Sequence, residues 1–385
     1  MRIYLDNAAT SWPKPESVYA ASDRWQREVG AASGRGVTRE ANETDRIIAA
    51  TRKSVAQLIG AEDPRRIIFT HNGTDSLNLA LHGLLRPGDH VVTTVCEHNS
   101  VLRPLAWLRQ TRDVAVTYVP CGTDGIVAPE DLRAAVTPRT RLVALVHASN
   151  VTGAIQPAEA VGQIAAEKGL LYLLDAAQSL GHLPIDVRRI GCHLLASPGH
   201  KGLLGPLGTG VLYVAPEAES QLQPVRQGGT GTQSDDEHQP NALPERYESG
   251  NLNVPGIAGI GAGVAELLSR GVEEIARHQR TLTARLLAGL AEVAGVTVYG
   301  PAEAAQRVGV VGFNLEGWDP QELATLLDTQ WSIQTRAGLH CAPRMHAALG
   351  TAPAGCVRAS LGPFNTTEHV DALLAALREL ATAAA

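Results

Sequence analysis

Two charged residues of the sequence follow apolar segments, at places where they could do chemistry together. Lys201 comes between glycines just after the apolar run Cys192 to Ser197, and Asp175 ends the run that starts at Gly169. A desolvated lysine loses its charge easily and becomes a Schiff-base nucleophile toward an aldehyde. If the two runs are neighbouring parallel strands, amine and carboxylate open into one crevice, which is the arrangement that pyridoxal phosphate needs. The alternative for Lys201 is a solvated loop lysine.

A third feature is suited to hold a phosphate group. Gly73 and Thr74 lie between the strand-like run Ile67 to Thr70 and a helical run over residues 77–85. A glycine-led turn that enters a helix exposes unpaired N–H groups at the positive end of the helix dipole. Small polar residues cap many helices without any ligand, so this turn alone does not indicate a phosphate site. The lysine and the acid at the ends of later strands make the phosphate interpretation stronger.

A loop near the C-terminus presents a cysteine among cations. Cys341 follows His340 directly and lies five residues after Arg336, in a segment bounded by Gly338 and Pro343. Cationic neighbours favour the nucleophilic thiolate, whereas most free cysteines are small buried residues, and local composition leaves both interpretations open. The remaining cysteines lie beside or within apolar runs and are predicted to pack: Cys96, Cys121, Cys192 and Cys356.

Further polar residues follow other apolar runs. His98, Asn150 and Gln178 are ordinary loop or turn-capping residues when considered alone. Arg358 lies in a strand-like run, where a guanidinium group binds either a substrate carboxylate or the carboxylate of a structural ion pair.

These motifs together resemble the class V aminotransferase family, in particular its cysteine desulfurase-like branch. Ser197-Pro-Gly-His200-Lys201 resembles the family's Schiff-base motif, and Asp175-Ala-Ala-Gln178 resembles its pyridinium-acid motif. The segment from Arg336 to Pro343 resembles the desulfurase loop that carries the reactive cysteine. The short span from Arg336 to Arg358 fits the branch that keeps this cysteine near the site, a branch that also resembles selenocysteine lyase.

The resemblance implies pyridoxal phosphate as the cofactor and assigns it a set of binding residues. His98 stacks on the pyridine ring and relays protons, and the others hold the phosphate, the phenolic oxygen, the ring nitrogen or the aldehyde: Gly73, Thr74, Asn150, Asp175, Gln178, Ser197, His200 and Lys201. In the reaction so implied, Lys201 moves the α-proton of L-cysteine while Cys341 attacks its sulfur, giving a persulfide and alanine. The implied substrate-binding residues are Arg358, Asn150 and Arg35.

Partners are implied in the same way. Family members are homodimers in which a segment matching Gly250-Asn251 reaches the neighbour's cofactor phosphate; this chain has Asn251 where a threonine is common, and an amide can also donate to phosphate. The substrate is L-cysteine or selenocysteine, and a sulfur-acceptor protein is possible. Alternatives are a selenocysteine lyase, a C–S lyase or an aminotransferase without persulfide chemistry, or a scaffold that keeps only the fold.

The elements that must position these residues alternate along the chain. Seven mostly apolar runs are separated by helix-length segments such as Ala158 to Lys168: residues 67–70, 90–95, 115–119, 141–147, 170–174, 193–196 and 210–214. This alternation predicts an α/β fold with a seven-stranded, mostly parallel sheet that is buried on both faces. Within the resemblance it is the fold type I of pyridoxal-phosphate-dependent transferases. Long amphipathic helices and short strands then predict a smaller α+β domain, with residues 13–258 in the large domain and residues 1–12 and 259–385 in the small one.

Composition excludes several classes of function. The chain has 385 residues, a formal net charge of −6 and a pI near 6.1, which gives no electrostatic case for binding nucleic acid or an acidic membrane. We find no signal peptide and no stretch of about 20 apolar residues, so a cytoplasmic protein is expected. The five cysteines are scattered without a C-x-x-C pair, which predicts neither a disulfide framework nor a structural metal site.

Overall fold

Strands form three sheets in the computed structural model, which describes residues 2–34, 36–233 and 235–383. In chain order the strands are β1 (Ile3–Tyr4), β2 (Ile67–Thr70), β3 (His90–Thr94), β4 (Ala115–Val119), β5 (Thr140–Val146), β6 (Leu171–Asp175), β7 (Leu194–Pro198), β8 (Gly210–Val214), β9 (Val296–Tyr299), β10 (Val310–Leu315), β11 (Ile333–Gln334), β12 (Arg336–Gly338) and β13 (Cys356–Ser360).

Helices connect these strands and cover the sheets. They are α1 (Glu16–Arg24), α2 (Arg39–Leu58), α3 (Gly73–Leu84), α4 (Asn99–Arg112), α5 (Pro129–Ala134), α6 (Ala158–Lys168), α7 (Val187–Ile190), α8 (Pro216–Glu219), α9 (Val254–Arg270), α10 (Val272–Ala291), α11 (Pro320–Trp331), α12 (Pro343–Ala348) and α13 (Thr367–Ala383). None of the described helices is long and apolar enough to cross a membrane.

The large sheet has seven strands in the order β2-β8-β7-β6-β5-β3-β4. Strand β8 runs antiparallel to both of its neighbours and the other paired strands are parallel, so the predicted seven-stranded, mostly parallel sheet is confirmed. Alternate residues of each strand enter the apolar clusters on opposite faces: Leu171 and Leu173 on one side, Tyr172 and Leu174 on the other. Because both faces are covered, these strands are continuously apolar rather than alternating.

The carboxyl ends of the parallel strands gather the predicted site residues at one edge. Asp175 is the last residue of β6, and it pairs in register with Ala196 of β7, whose strand runs on toward Lys201. Strands β2, β3 and β5 lead toward Gly73, His98 and Asn150 at the same edge. The sheet therefore brings together residues that are far apart in sequence.

A second sheet of four strands, in the order β12-β13-β10-β9, forms the smaller α+β part with its own apolar cluster. The N-terminal strand β1 pairs in parallel with β11 and so joins this part of the molecule. The sequence predicted β1 from a strand-like start at the N-terminus, and β10 and β13 from the runs over residues 310–315 and 357–360. It did not predict β9, β11 or β12, which are short. The boundary expected after residue 258 falls inside α9, and the division into two domains remains a proposal.

Candidate active site

A cavity of about 230 Å³ opens at the carboxyl edge of the large sheet. Its wall contains most of the residues that the sequence predicted for the site: Gly73, Thr74, His98, Asn150, Asp175, Gln178, His200, Lys201, Cys341 and Arg358. The amine, the acid and the thiol on which the sequence hypothesis depended thus meet in one cavity.

Two of the described residues that the sequence predicted for the site, Ser197 and Asn251, do not line this cavity. Ser197 is buried at the end of β7, and its hydroxyl donates to the Pro198 carbonyl at 3.3 Å. Asn251 borders a separate small cavity that Arg226 and Glu248 also line. Arg35 lies outside the described residues.

Lys201 and Asp175 both line the cavity. Burial lowers the pKa of the Lys201 amine to about 8; the charge of Asp175 opposes this shift, and the charges of Arg358 and Arg336 add to it. Burial raises the pKa of the Asp175 carboxyl, while the Ala177 N–H, which donates to it at 2.9 Å, and the charge of Lys201 lower it. The lysine therefore has a neutral fraction near physiological pH, which is the form that attacks a carbonyl carbon.

The N-terminus of helix α3 faces the cavity and is capped tightly. The Asn72 side chain accepts from the Asp75 N–H at 2.9 Å, and Gly73 begins the helix. A Cβ atom at Gly73 would approach the ring of Pro198 to 3.0 Å, so glycine allows the helix to pack closely on the end of β7. The N–H groups of this first turn, with the hydroxyl of Thr74, provide donors for an anion.

His98 presents a neutral imidazole ring. Its Nδ1 accepts from the Ser100 N–H at 3.0 Å, so the ring proton of the neutral form lies on Nε2. Burial lowers the pKa of His98 to about 4, and the charges of Lys201 and Arg336 contribute to this shift. Near neutral pH the ring is thus a flat, uncharged surface with a donor at its far end.

Two amide side chains complete the polar wall. Asn150 donates to the carbonyl oxygen of His340 at 2.6 Å, and Gln178 donates to the carbonyl oxygen of Ala8 at 2.9 Å. The buried Oδ1 of Asn150 has no hydrogen-bond partner within the described ranges of the chain.

The loop that carries Cys341 is held against the cavity by its own backbone. The Cys341 carbonyl accepts from the Asn99 N–H at the start of α4 at 2.7 Å, and the His340 carbonyl accepts the Asn150 bond described above. Both loop residues have left-handed backbone angles, with φ of 46° at His340 and 59° at Cys341. Such angles are uncommon for residues with a Cβ and persist where surrounding contacts hold them. The Cys341 side chain remains exposed.

Arg358 lies on β13 as a buried cation with unused donors. It is 2% exposed, donates to Asp6 at 2.6 Å and donates to the Asn150 carbonyl at 3.0 Å. Its buried Nε has no partner in the part of the chain that the structure describes. A guanidinium group with free N–H bonds in a cavity wall is suited to bind a carboxylate.

The structure adds two residues that the sequence hypothesis did not assign. Arg336 lines the cavity; its position five residues before Cys341 was the available signal. Glu97 is fully buried beside His98, where it accepts from the Thr94 hydroxyl at 2.7 Å and the Val146 N–H at 3.1 Å. Burial raises the pKa of Glu97 to about 8, so this carboxyl is mostly protonated at pH 7. Its place directly before His98, in a Glu-His pair that resembles the family's motif, was the available signal.

A larger cavity of about 1170 Å³ lies at the opposite edge of the sheet, away from these residues. Asp89, Thr140, Leu171 and His193 are among its lining residues, and they stand at or just before the starts of their strands. Because ligands of open parallel sheets bind at the carboxyl ends of the strands, we assign the chemistry to the smaller cavity.

Known proteins are similar to this chain over nearly its whole length. Residues 3–373 match the family model of class-V aminotransferases. A protein described as a probable cysteine desulfurase from Methanothermobacter thermautotrophicus is 38% identical, with 98% of this chain and 94% of that protein covered. A cysteine desulfurase from Salmonella agona is 33% identical, with 98% and 93% covered.

Solved structures agree with this relationship. The apo structure of a cysteine desulfurase from Thermococcus onnurineus superposes with a TM-score of 0.94 at 35% identity, covering 99% of this chain and 95% of that one. A cysteine desulfurase from Escherichia coli superposes with a TM-score of 0.89 at 30% identity and the same coverage. The predicted fold class is therefore confirmed.

Proposed function

Because the chain belongs to the class V aminotransferase family, we propose that it is a pyridoxal-phosphate-dependent cysteine desulfurase that converts L-cysteine to L-alanine. The observation that carries the proposal is the convergence of Lys201, Asp175 and Cys341 on one cavity. The first two residues are suited to any enzyme with this cofactor, and the exposed thiol selects sulfur transfer among the reactions that the cofactor permits.

The cavity wall has the chemistry to hold pyridoxal phosphate. His200 has a buried Nδ1, and Asn150 a buried Oδ1, that lack partners among the residues the structure describes. Buried polar atoms are normally paired, so both atoms fit a wall that closes around a polar ligand. When bound, the cofactor withdraws electrons from the substrate's α-carbon.

Each functional group of pyridoxal phosphate can be assigned to residues of the cavity wall. We assign the phosphate to the first turn of α3 and to His200 with the neighbouring Ser197, and the aldehyde to the Lys201 amine. The Asp175 carboxylate suits a protonated ring nitrogen, and the neutral ring of His98 suits a stacked pyridine. We assign the phenolic oxygen of the cofactor to the amide side chains of Asn150 and Gln178.

Arg358 binds the substrate carboxylate in this proposal. Asp6 and the Asn150 carbonyl occupy two of its N–H bonds, which fixes the plane of the guanidinium group, and its Nε–H has no partner among the described residues. A planar fork of donors orients an amino acid better than a point charge does. The neutral amine of Lys201 then accepts the α-proton of the substrate.

Sulfur leaves the substrate through Cys341. Its thiolate sulfur attacks the sulfur of L-cysteine, and an S–S bond forms as the substrate's C–S bond breaks. The electron pair of that C–S bond stays on carbon, which takes up a proton, and alanine departs. The protein retains a persulfide on Cys341, whose exposure gives a sulfur acceptor access to it.

We also propose a homodimer. Gly250 and Asn251 lie away from the cavity of their own chain and are exposed, so they are free to reach the cofactor phosphate of a second subunit. In the same proposal Arg35 serves at the entrance to the site.

The test is to incubate the purified protein with L-cysteine and to quantify alanine and sulfide. The wild-type protein should form alanine catalytically with a reductant present, and Cys341→Ser should lose this activity by at least roughly a thousandfold. The matched control is Cys121→Ser, which removes a half-buried thiol outside the cavity and should leave the rate unchanged. Full alanine formation by Cys341→Ser would contradict sulfur transfer to the thiol and would favour a lyase without a persulfide.

A further inference from the structure

Three buried side chains with metal-binding atoms meet behind the loop that carries Cys341. They are His340 in the loop, His346 in α12 and Cys356 at the start of β13. A ring nitrogen of each histidine and the Cys356 sulfur all lie within 4.8 Å of one another. No step of the proposed desulfurase reaction uses these atoms.

The hydrogen bonds of the two imidazole rings leave one lone pair on each. Nε2 of His340 lies 3.0 Å from the Cys356 carbonyl, which can only accept, so Nε2 carries the proton and Nδ1 is bare. The Thr351 hydroxyl donates to the His346 carbonyl at 3.3 Å and therefore accepts from Nδ1–H of His346 at 2.7 Å, which leaves Nε2 bare. A histidine whose second N–H is held by a carbonyl or hydroxyl oxygen is the usual arrangement of a metal ligand.

Both bare nitrogens are buried and unsatisfied. Nδ1 of His340 and Nε2 of His346 have no hydrogen-bond partner among residues 2–34, 36–233 and 235–383. The Cys356 thiol carries one proton and could serve only one of them. A single cation would satisfy both nitrogens and the sulfur together.

The cluster has the composition of a metal site with three protein ligands. Two imidazole nitrogens and one thiolate suit zinc and similar borderline or soft cations, and three protein ligands with a water complete a tetrahedron. Ligand atoms around zinc stand roughly 3.3–3.7 Å apart, so closing the present cluster requires side-chain movements of about 1 Å. Gly312 on the neighbouring strand leaves space for the sulfur, since a Cβ atom there would approach it to 3.2 Å.

We propose that His340, His346 and Cys356 bind one zinc ion or a similar thiophilic divalent cation. The ion ties the loop to α12 and β13. His340 precedes the exposed thiol Cys341 directly, and Cys356 lies two residues before Arg358. Metal binding would thus fix the sulfur nucleophile relative to the arginine that binds the substrate, without entering the reaction itself.

The test is to add Co²⁺ and Zn²⁺ to the purified, cofactor-loaded protein after treatment with a chelator. Cys341→Ser is the background, because it removes the exposed thiol that would otherwise bind metal. We expect one equivalent of Co²⁺ with the intense d–d bands of a tetrahedral site and a thiolate charge-transfer band, and its displacement by Zn²⁺ with a higher melting temperature. Absence of a tetrahedral Co²⁺ spectrum in this background would overturn the proposal.

Variants in the same background assign the ligands. Cys356→Ser and His346→Gln should each weaken Zn²⁺ binding at least roughly a hundredfold, and Cys356→Ser should remove the thiolate band. The matched control is Cys192→Ser, which alters a buried cysteine elsewhere and should bind Zn²⁺ as the background does.

A milder change covers the case in which a ligand variant does not fold. Thr351→Val keeps every ligand but removes the hydroxyl that holds Nδ1 of His346, and it should weaken Zn²⁺ binding roughly tenfold. Binding of unaltered affinity in Cys356→Ser or in Thr351→Val, with folding verified by circular dichroism, would contradict the assignment.

Discussion

Two buried arginines of this protein, Arg52 and Arg358, are each paired with a carboxylate. They differ in how many of their N–H groups the fold uses. Arg52 in α2 donates to both oxygens of Glu248, at 2.7 and 2.9 Å, and to the Ile67 carbonyl, and its guanidinium group lies over the ring of Phe69 at 4.6 Å. Glu248 also accepts from the Phe69 N–H at 2.6 Å. Arg358 instead makes a single bond to Asp6, whose side chain is 19% exposed, and its buried Nε–H has no partner among the described residues.

The difference is the one expected between a structural ion pair and the substrate-binding group that we propose Arg358 to be. The Arg52 pair is bidentate and joins the helix to the segment before α9, with both carboxylate oxygens used within the fold. The Arg358 pair holds the guanidinium group in place while donors remain for a ligand. Burial alone is therefore no sign of function; Arg358 is distinguished by an unpaired donor together with a place in the wall of the cavity that Lys201 and Cys341 also line.

The largest expected effect comes from breaking the ion pair between Arg52 and Glu248. Arg52→Ala leaves the Glu248 carboxylate buried without its counter-charge, and we expect the free energy of unfolding to fall by about 3–5 kcal/mol. Denaturant titration measures this loss, and kcat/KM per folded molecule should stay within about threefold of wild type. The double variant Arg52→Met with Glu248→Gln should recover part of the stability. A large loss of kcat/KM with unaltered stability would reverse the contrast between the two arginines.

Breaking the ion pair between Arg358 and Asp6 should instead lower activity more than stability. Arg358→Gln removes the fork that we propose binds the substrate carboxylate, so kcat/KM for L-cysteine should fall roughly 100- to 1000-fold, equivalent to about 3–4 kcal/mol. The free energy of unfolding should change by less than in Arg52→Ala, because the exposed side of Asp6 regains water. Arg358→Lys keeps the charge without the fork and should recover only part of the activity. Wild-type steady-state kinetics in Arg358→Gln would remove this residue from the site.

The smallest effect concerns an imidazole in the same cavity wall. Burial lowers the pKa of His98 to about 4, so between pH 6.5 and 4 the unfolded chain takes up a proton that the native chain resists. His98 therefore destabilises the fold as the pH falls through this window and has no such effect at pH 7. Because the ring is partly exposed, we expect about 1–2 kcal/mol.

The measurement compares wild type with His98→Gln in cofactor-free protein by denaturant titration at pH 7 and pH 4. The variant lacks the ionisable ring, so wild type should lose about 1–2 kcal/mol more than the variant on acidification. Equal losses in the two proteins would show that the imidazole titrates normally and that the wall is more hydrated than its burial indicates.

The sequence by itself determined the large sheet and predicted most of the polar residues that line the cavity. Strands such as β5 and β6 are continuously apolar because both faces are covered, and that pattern is visible in the chain within one or two residues of the observed ends. Lys201, Asp175 and Cys341 were predicted from local motifs that resemble a known family. Local signals suffice where the chemistry depends on the residue type and on its position after a strand.

Only the tertiary structure decided which polar atoms remain unpaired. The Cys341 loop is fixed by carbonyl bonds to Asn99 and Asn150, residues that are far away in the chain, and no local pattern encodes that docking. The same holds for His340, His346 and Cys356: their spacing resembles no metal motif, and the sequence predicted no metal site. Folding places these three side chains together because burial depends on what each side chain meets across the fold, which chain order does not specify.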